Sequence, residues 1–424
     1  MELDKDIKQK LKDYTNKAPQ VKTVIHWWDL YKGHYIKLKP DLQKQIFKKA
    51  IKKAGGHFAW LGEKLKISRR TIAECWKLKR NPQISTLIKV ATFINFPLSK
   101  IEKNVIQLSK SKFKPNLPFK FHNPEGAEIR AAFLSDGHLS KYPEGIPQYL
   151  ASEYFLHKRL IKLCKSIFGD FNVHTYFDGK TYVTKFPSGI GSALEIAGVP
   201  RGDKRIYKTS VPRDILTGSK EIQTAYLRRV FDDEGDVCFD KHGKRAVRLT
   251  RSIDITSKKL NLNLLKPGKW MSINNSAIPI NTLLLGEQLL LYKLGIDARI
   301  YYEGVYKSQK DKITAKWRIQ VGQQDSLRKF AGIIAFNLKS KLKKLSDALK
   351  SYKVKEFPNG EAEKFAIKVL NPIYKKRGYF FFGDLGKELV KISRGYDLAG
   401  YYLKILTEER IVKKVKRGKY VFLN

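Results

Sequence analysis

Two segments of this 424-residue chain follow one pattern, in which a helical stretch ends in an acidic residue followed by glycine. The first acid is Asp136 and the second is Glu234, so 98 residues separate them, the difference between 234 and 136. Each segment continues into a short strand, a long helix, a hairpin pattern and a closing helix. The repetition predicts an α+β fold with two similar units of the order αββαββα, give or take a strand, over residues 126–220 and 221–355.

Both acids are placed at helix C-termini, where the negative end of the macrodipole disfavours a carboxylate. If the two helix ends cross, the charges of Asp136 and Glu234 also raise each other's pKa. A divalent cation removes this conflict, and carboxylate oxygens suit Mg²⁺ or Mn²⁺. Because metal-bound water and a polarised phosphate are what phosphodiester hydrolysis needs, such a crossing would make the two acids candidate catalytic metal ligands.

The two segments also carry a family resemblance. Residues 129–137 (IRAAFLSDG) and 227–235 (LRRVFDDEG) resemble the two signature motifs of the LAGLIDADG homing endonucleases. The resemblance covers about residues 115–350. It implies a single-chain member of the family, in which two half-domains are fused into a pseudo-symmetric pair.

The resemblance implies roles for particular residues. Asp136 and Glu234 would bind the metal, one from each half-domain, and each four-stranded sheet would lie in the major groove of DNA. In this family a basic residue of each half-domain usually assists near the scissile phosphates, and Lys185 and Lys316 occupy such places on late strands.

The motifs depart from the family pattern at a few positions. The first motif glycine is replaced by Ala131 in one copy and by Arg229 in the other, and an arginine would crowd a tight helix crossing unless its stem turns away. Leu134 stands where a polar residue is usual. Asp232 and Asp233 add acids beside the second motif, either as part of the metal shell or facing solvent.

A second motif lies in a helical domain predicted over residues 1–105. About residues 58–95 resemble the helix-turn-helix of the Cro and phage-repressor family, with Lys66 at the turn position usually filled by glycine. Ser68 would cap the recognition helix. The residues expected to read DNA at the start of that helix are Arg69, Arg70 and Thr71. The alternative is a structural helical bundle.

Two further stretches contain basic residues that are candidates for phosphate contacts. Residues 106–125, rich in lysine and proline, predict an exposed linker, which is either a solvated connector or an arm that follows phosphates. Residues 203–205, with the sequence DKR, predict a polar loop with a phosphate contact. The tryptophan pair at 27–28 indicates core or lid packing more than a platform for base stacking.

The C-terminal residues 356–424 resemble a winged helix. Their last segment alternates apolar and basic residues around a glycine, which is typical of a hairpin. The side chains expected to face phosphate from this wing are Lys413, Lys414, Lys416 and Arg417. The alternative is a small oligomerisation module.

Charge and cysteine content limit the partners and the compartment. Lysine and arginine number 84 against 40 acidic residues, a formal net charge of +44, which indicates nucleic acid first and an anionic membrane second. Three scattered cysteines exclude a disulfide framework and a zinc ribbon. The sequence has no signal-peptide core and no membrane span, so we expect an intracellular monomer in the cytoplasm or nucleoid.

The sequence therefore predicts a site-specific endonuclease that hydrolyses double-stranded DNA with Mg²⁺ or Mn²⁺. Two alternatives remain open. One is a non-catalytic DNA-binding regulator with the same fold. The other is an RNA-binding maturase or ribosome-associated factor, since net charge does not distinguish DNA from RNA.

Overall fold

The computed structural model describes residues 5–109, 113–142, 145–204, 209–240, 244–256, 270–271, 278–307, 312–352, 361–392 and 394–423. No helix in these residues is long and apolar enough to cross a bilayer.

The N-terminal region is mostly helical. Its elements are α1 (Lys5–Lys17), β1 (Val24–Ile25), a 3₁₀ turn (Trp27–Asp29), β2 (Ile36–Leu38), α2 (Pro40–Lys53), α3 (Phe58–Leu65), α4 (Arg69–Trp76), α5 (Ile84–Phe93), α6 (Leu98–Glu102), β3 (Val105–Leu108), β4 (Lys114–Pro115) and β5 (Phe119–Lys120). The helix α2 ends just before Gly55 and Gly56, both at positive φ, as the Gly-Gly pair predicts.

A first α/β unit follows. It contains α7 (Pro124–Leu134), β6 (Gly137–Leu139), β7 (Pro147–Ala151), α8 (Tyr154–Phe168), β8 (Gly169–Asp170), β9 (His174–Phe177), β10 (Tyr182–Lys185) and α9 (Ser188–Ile196), and the short helix α10 (Arg213–Leu216) leads out of it. Four of its strands form an antiparallel sheet in the order β6-β7-β10-β9.

A second α/β unit repeats this order. It contains α11 (Lys220–Glu234), β11 (Gly235–Phe239), β12 (Arg245–Asp254), β13 (Trp270–Met271), α12 (Thr282–Lys293), β14 (Arg299–Lys307), β15 (Ile313–Val321), α13 (Gln324–Ile333) and α14 (Lys339–Lys350). Its sheet has the order β11-β12-β15-β14-β13. If β8 and β13 are left aside, each unit has four strands. In both sheets the first strand of the chain lies next to the second, the second next to the fourth, and the fourth next to the third.

The helices α7 and α11 pack against each other at the junction of the two units. Each begins at a side-chain N-cap: Asn123 accepts a hydrogen bond from the Gly126 backbone at 2.7 Å, and Ser219 caps α11. Space explains the glycine after each acid, because a Cβ on Gly137 would lie 2.6 Å from Phe133 and a Cβ on Gly235 would lie 2.5 Å from the Phe231 carbonyl oxygen.

The N-terminal region shares one hydrophobic core with both units. The Tyr14 hydroxyl donates a hydrogen bond to the Thr282 carbonyl in the second unit at 2.6 Å. The Tyr31 ring stacks on Tyr142 in the first unit, with ring centroids 4.0 Å apart. Trp27 is buried, as the core alternative predicts.

The prediction of an exposed linker over residues 106–125 is wrong for most of that segment. Phe113, Phe119 and Phe121 are fully buried, β4 pairs with β8, and β5 pairs with β1. The aromatic residues between the lysines anchor the backbone to the core, and burial of one such ring contributes roughly 1.5–3 kcal/mol. Residues 110–112 lie outside the described part of the chain.

The C-terminal region has a hydrophobic core of its own. Its elements are α15 (Glu361–Arg377), β16 (Phe380–Phe381), α16 (Phe382–Lys391), α17 (Leu398–Glu408), β17 (Val412–Lys416) and β18 (Lys419–Phe422). The three strands form a sheet in the order β16-β18-β17.

Candidate active site

The structure brings the two predicted acids together. Asp136 and Glu234 lie at the C-terminal ends of the packed helices α7 and α11. Burial, followed by the negative charge of Glu234, raises the pKa of the Asp136 carboxyl from 3.8 to about 6. Within the described part of the chain, no group donates a hydrogen bond to this carboxylate. Asp136 is therefore a half-buried acid that accepts no hydrogen bond from any residue the structure describes, although three nearby cations act on its charge.

Glu234 has a different environment, because it is paired with an arginine. The guanidinium of Arg251 donates to Glu234 Oε1 at 2.8 Å and to the fully buried Glu287 at 2.6 Å. It also reaches the Ser135 hydroxyl, across the junction between the units, at 3.3 Å. Burial alone would lower the Arg251 pKa, but the charges of Glu234 and Glu287 outweigh burial and raise it. Arg251 thus remains a cation at the centre.

Two lysines neutralise the helix ends on which the acids lie. Lys204 Nζ donates to the carbonyl oxygens of Phe133 and Ser135 at the end of α7. Lys341 Nζ donates to the carbonyl oxygens at the end of α11, at 3.0 Å to Phe231 and 2.5 Å to the next residue. A cation at a helix C-terminus stabilises the macrodipole. Burial lowers the Lys204 pKa to about 8, although nearby carboxylates oppose the shift.

The prediction of a phosphate-contacting loop at 203–205 needs correction for its lysine. Lys204 faces inward onto the helix α7 rather than outward to phosphate. Arg205 lies outside the described residues.

Arg229 and Asp233 form a fully buried ion pair, with Nε and Oδ2 3.1 Å apart. The Tyr149 hydroxyl donates to the other oxygen of Asp233 at 2.7 Å, and the guanidinium lies 4.8 Å from the centre of the Tyr149 ring. Arg229 also donates to the Leu156 carbonyl, so its side chain extends into the first unit and does not crowd the helix crossing. Asp232 accepts two backbone and one side-chain hydrogen bond from residues 337–338. The alternative that Asp232 and Asp233 face solvent is therefore wrong.

The predicted basic residues lie on the sheets. Lys185 lies at the end of β10, and its Nζ is 5.3 Å from the centre of the Tyr176 ring. Lys316 lies on β15 and forms an ion pair with Glu303 at 3.2 Å. The cations whose charges lower the Asp136 pKa are instead Lys204, Arg229 and Arg251. Assistance by Lys185 or Lys316 at a scissile phosphate stays a prediction.

The second sheet presents a basic face opposite its helices. Along β12, Val247 and Leu249 point into the core, and the residues between them are partly exposed. The register of β12, β14 and β15 aligns the cations of this outer face, which are Arg248, Arg299, Lys316 and Arg318. A sheet face with this composition suits phosphate contacts.

The helix pair α3–α4 has the local geometry predicted for residues 58–95. Ser68 Oγ accepts a hydrogen bond from the Thr71 backbone at 3.1 Å, and Lys66 adopts φ 52° in the turn. Arg69 and Arg70 are exposed at the start of α4, and Arg70 pairs with Glu74 at 2.7 Å. The reading of DNA by these residues stays a prediction.

The basic residues of the C-terminal hairpin are exposed. Lys413, Lys414 and Lys416 lie on β17, and Arg417 lies in the turn to β18. The hairpin itself agrees with the predicted pattern, and its contact with phosphate stays a prediction.

One acid of this centre suits a divalent ion, and the other is already paired with an arginine. The half-buried carboxylate of Asp136, to which no described residue donates a hydrogen bond, is the kind of ligand that Mg²⁺ accepts. Glu234 shares one of its oxygens with Arg251. Within the described ranges, no cluster of three or more histidine, cysteine, aspartate or glutamate side chains is placed to hold a metal. Two carboxylates remain sufficient, because Mg²⁺ keeps several waters.

The sequence reasoning missed Arg251, Glu287 and Lys341. One signal was available for Arg251: it occupies an inward position in the alternating pattern of β12, where Val247 and Leu249 also point to the core. A charged residue at a core position of a strand indicates a buried partner.

Comparisons with known proteins give a weak likeness. No protein-family model and no curated protein matches the chain. Among solved structures, the chain is similar to mesophilic variants of the homing endonuclease I-DmoI, at 13% identity over 53% of this chain and 97% of that chain, with a TM-score of 0.32. It is also similar to the N-terminal LAGLIDADG domain of DUF199/WhiA, at 11% identity over 54% and 90%, with a TM-score of 0.29. Full-length DUF199/WhiA from Thermatoga maritima is 11% identical over 69% and 93%, with a TM-score of 0.31. Similarity at this level carries no functional argument.

Proposed function

We propose that this protein binds duplex DNA and hydrolyses its phosphodiester bonds with a divalent metal ion at the junction of α7 and α11. The observation that carries the proposal is the meeting of Asp136 and Glu234 at the ends of two packed helices. Burying one carboxylate beside another is unfavourable, so a fold that does this needs a compensating cation.

The positive charge of the chain, and its position on the second sheet, support duplex DNA as the partner. A net charge of +44 favours a polyanion, and the outer face of the second sheet presents cations in neighbouring strands. We propose that the two units are related by a pseudo-twofold axis and that their sheets contact successive turns of the duplex. The exposed residues Arg69 and Arg70 of α4 and the hairpin β17–β18 would lengthen the contacted segment.

In this proposal Asp136 and Glu234 hold the metal, which supplies a more acidic bound water and a polarised phosphate. Other side chains of the protein would stabilise this arrangement of the two acids. Lys204 and Lys341 neutralise the helix ends, which lets the two carboxylates stay close to backbone carbonyls of the same sign. The ion pair of Arg229 with Asp233 keeps a third carboxylate out of the centre.

A plasmid assay tests the proposal. Supercoiled plasmids carrying the chromosomal DNA that flanks the gene are incubated with the full chain and Mg²⁺. We expect cut circles with Mg²⁺ and none with EDTA. The double variant Asp136→Asn and Glu234→Gln should bind the same DNA and not cut it. Equal cutting by that variant would refute the assignment.

A second candidate is a non-catalytic DNA-binding protein, which the ion pair between Glu234 and Arg251 favours. In this case an internal arginine replaces the metal as the counter-charge. Binding to duplex DNA would then be unchanged in EDTA, and no divalent ion would bind the free protein. Competition between duplex DNA and structured RNA at one salt concentration separates either candidate from an RNA-binding role.

A further inference from the structure

The first unit carries a group of exposed aromatic rings at the start of α8 and at the adjoining end of its sheet. Tyr154 is 44% exposed and Phe177 is 56% exposed. The ring of Tyr182 lies between them, with its centroid 5.0 Å from that of Tyr154 and 5.1 Å from that of Phe177. We call these three rings the aromatic platform. Contiguous apolar surface that stays exposed is typical of a binding site.

The aromatic platform lies on the helix side of the first sheet. Thr184, two residues after Tyr182 on β10, forms a hydrogen bond with His157 of α8 at 2.7 Å, so Tyr182 also points to that side. Phe177 lies directly opposite Tyr182 on β9 and shares its side. Lys185 points to the other side of the sheet, which the proposed function places against duplex DNA. The platform is therefore a separate surface.

Positive charge lies beside the platform along α8. Lys158 Nζ is 4.9 Å from the centre of the Tyr154 ring, and Lys162 is exposed one turn further along the same side of the helix. No carboxylate of the described residues forms an ion pair with either lysine. Asp178, in the turn from β9 to β10, accepts hydrogen bonds from the backbone of residues 180–181. Rings for stacking beside cations for phosphate are the features that single-stranded nucleic acid needs.

The strand β9 connects the platform to the duplex side of the sheet. It is the edge strand in the order β6-β7-β10-β9. Tyr176, which precedes Phe177 on this strand, is exposed on the duplex side, where Lys185 Nζ lies 5.3 Å from the centre of its ring. A DNA strand that leaves the duplex around this edge would meet Tyr176 first and the platform next. This path favours DNA as the source of the single strand.

We infer that the aromatic platform binds a single strand of DNA. Unpaired bases stack on the rings of Tyr154, Phe177 and Tyr182, and the phosphates contact Lys158 and Lys162. The choice of DNA rests on the proposed duplex binding, because that binding supplies the strand that passes β9. Stacking does not read base identity, so the platform holds the separated strand without selecting its sequence.

Fluorescence anisotropy with the full chain and labelled oligonucleotides at one salt concentration tests the inference. The probes are a thymidine oligonucleotide, an abasic oligonucleotide of the same length and charge, a uridine oligonucleotide and a DNA duplex. We expect the thymidine oligonucleotide to bind at least tenfold more tightly than the abasic one, because only the former has bases to stack.

The variants separate stacking from charge, and circular dichroism checks that each is folded. Tyr154→Ala with Phe177→Thr should weaken thymidine binding at least tenfold and leave the abasic and duplex affinities within about twofold of wild type. Phe177→Trp, which keeps a ring, should bind like wild type. Tyr401→Ala removes a ring that is 60% exposed on α17 and is the matched control, with unchanged affinity. Lys158→Ala with Lys162→Ala should reduce the slope of log affinity against log salt by about 1.4 for both single strands.

The outcomes separate the inference from the proposed function. Unchanged thymidine binding in the double ring variant, or an equal loss for the thymidine and abasic oligonucleotides, would overturn the inference. Ring-dependent binding of the uridine oligonucleotide that is tenfold tighter than that of thymidine would overturn DNA as the occupant. Absence of duplex binding, with ring-dependent thymidine binding retained, would overturn the proposed function and leave the platform as a single-strand site.

Discussion

Replacing Asp136 with asparagine should stabilise the protein at neutral pH. The pKa of this carboxyl rises from 3.8 to about 6 on folding, so the folded chain binds the proton more tightly than the unfolded chain. Stability should therefore fall as the pH rises from about 4 to 6 and stay low above that window. A rise of this size corresponds to about 3 kcal/mol, an upper limit for the gain in Asp136→Asn at pH 7.5.

Urea denaturation of both proteins between pH 4 and pH 8 measures this effect. The unfolding midpoint of Asp136→Asn should exceed that of wild type at pH 7.5, and the gap should close near pH 4. Glu153→Gln, which removes an exposed charge at the start of α8, is the matched control, and its unfolding midpoint should follow that of wild type across this pH range. Added Mn²⁺ should raise the wild-type midpoint and not that of the variant. A variant no more stable than wild type at pH 7.5 would refute the reasoning.

Three other changes have defined expected results. Arg229→Met leaves the Asp233 charge buried without its cation and should cost about 3–5 kcal/mol in urea denaturation, and the charge-balanced double variant with Asp233→Leu should recover much of that loss. Ser68→Ala removes the N-cap of α4 and should lower stability by about 1 kcal/mol, whereas Ser68→Asp should not. Lys316→Ala with Arg318→Ala should reduce the slope of log affinity for duplex DNA against log salt by about 2, and an unchanged slope would remove the second sheet from the interface.

The sequence predicted local features well where one residue decides them. The end of α2 just before Gly55, the cap at Ser68 and the acid-glycine sequence at the end of each of the two repeated helices each follow from short-range rules. The two similar strand orders also follow from the repeated pattern of helix, strand and hairpin.

Long-range contacts could not be predicted in the same way. Residues 106–125 have the composition of a linker, but three phenylalanines spaced among the lysines fix the segment to the core. Lys204, in the polar triplet at 203–205, donates a hydrogen bond to the Phe133 carbonyl of α7, which lies 71 residues earlier in the chain. Which carboxylate Arg251 would bind depends on strands and helices that come together only in three dimensions. Rules that use only neighbouring residues in the sequence do not predict these contacts.

The shared core and the contacts of Tyr14 with the second unit and of Tyr31 with the first have a consequence for the proposed binding of DNA. They join the N-terminal helices directly to both units, so α4 would meet the duplex at a fixed distance from the two sheets. If α4 and the sheets both contact DNA as proposed, a target whose two contacted stretches are shifted by half a helical turn would present one of them on the wrong side of the duplex.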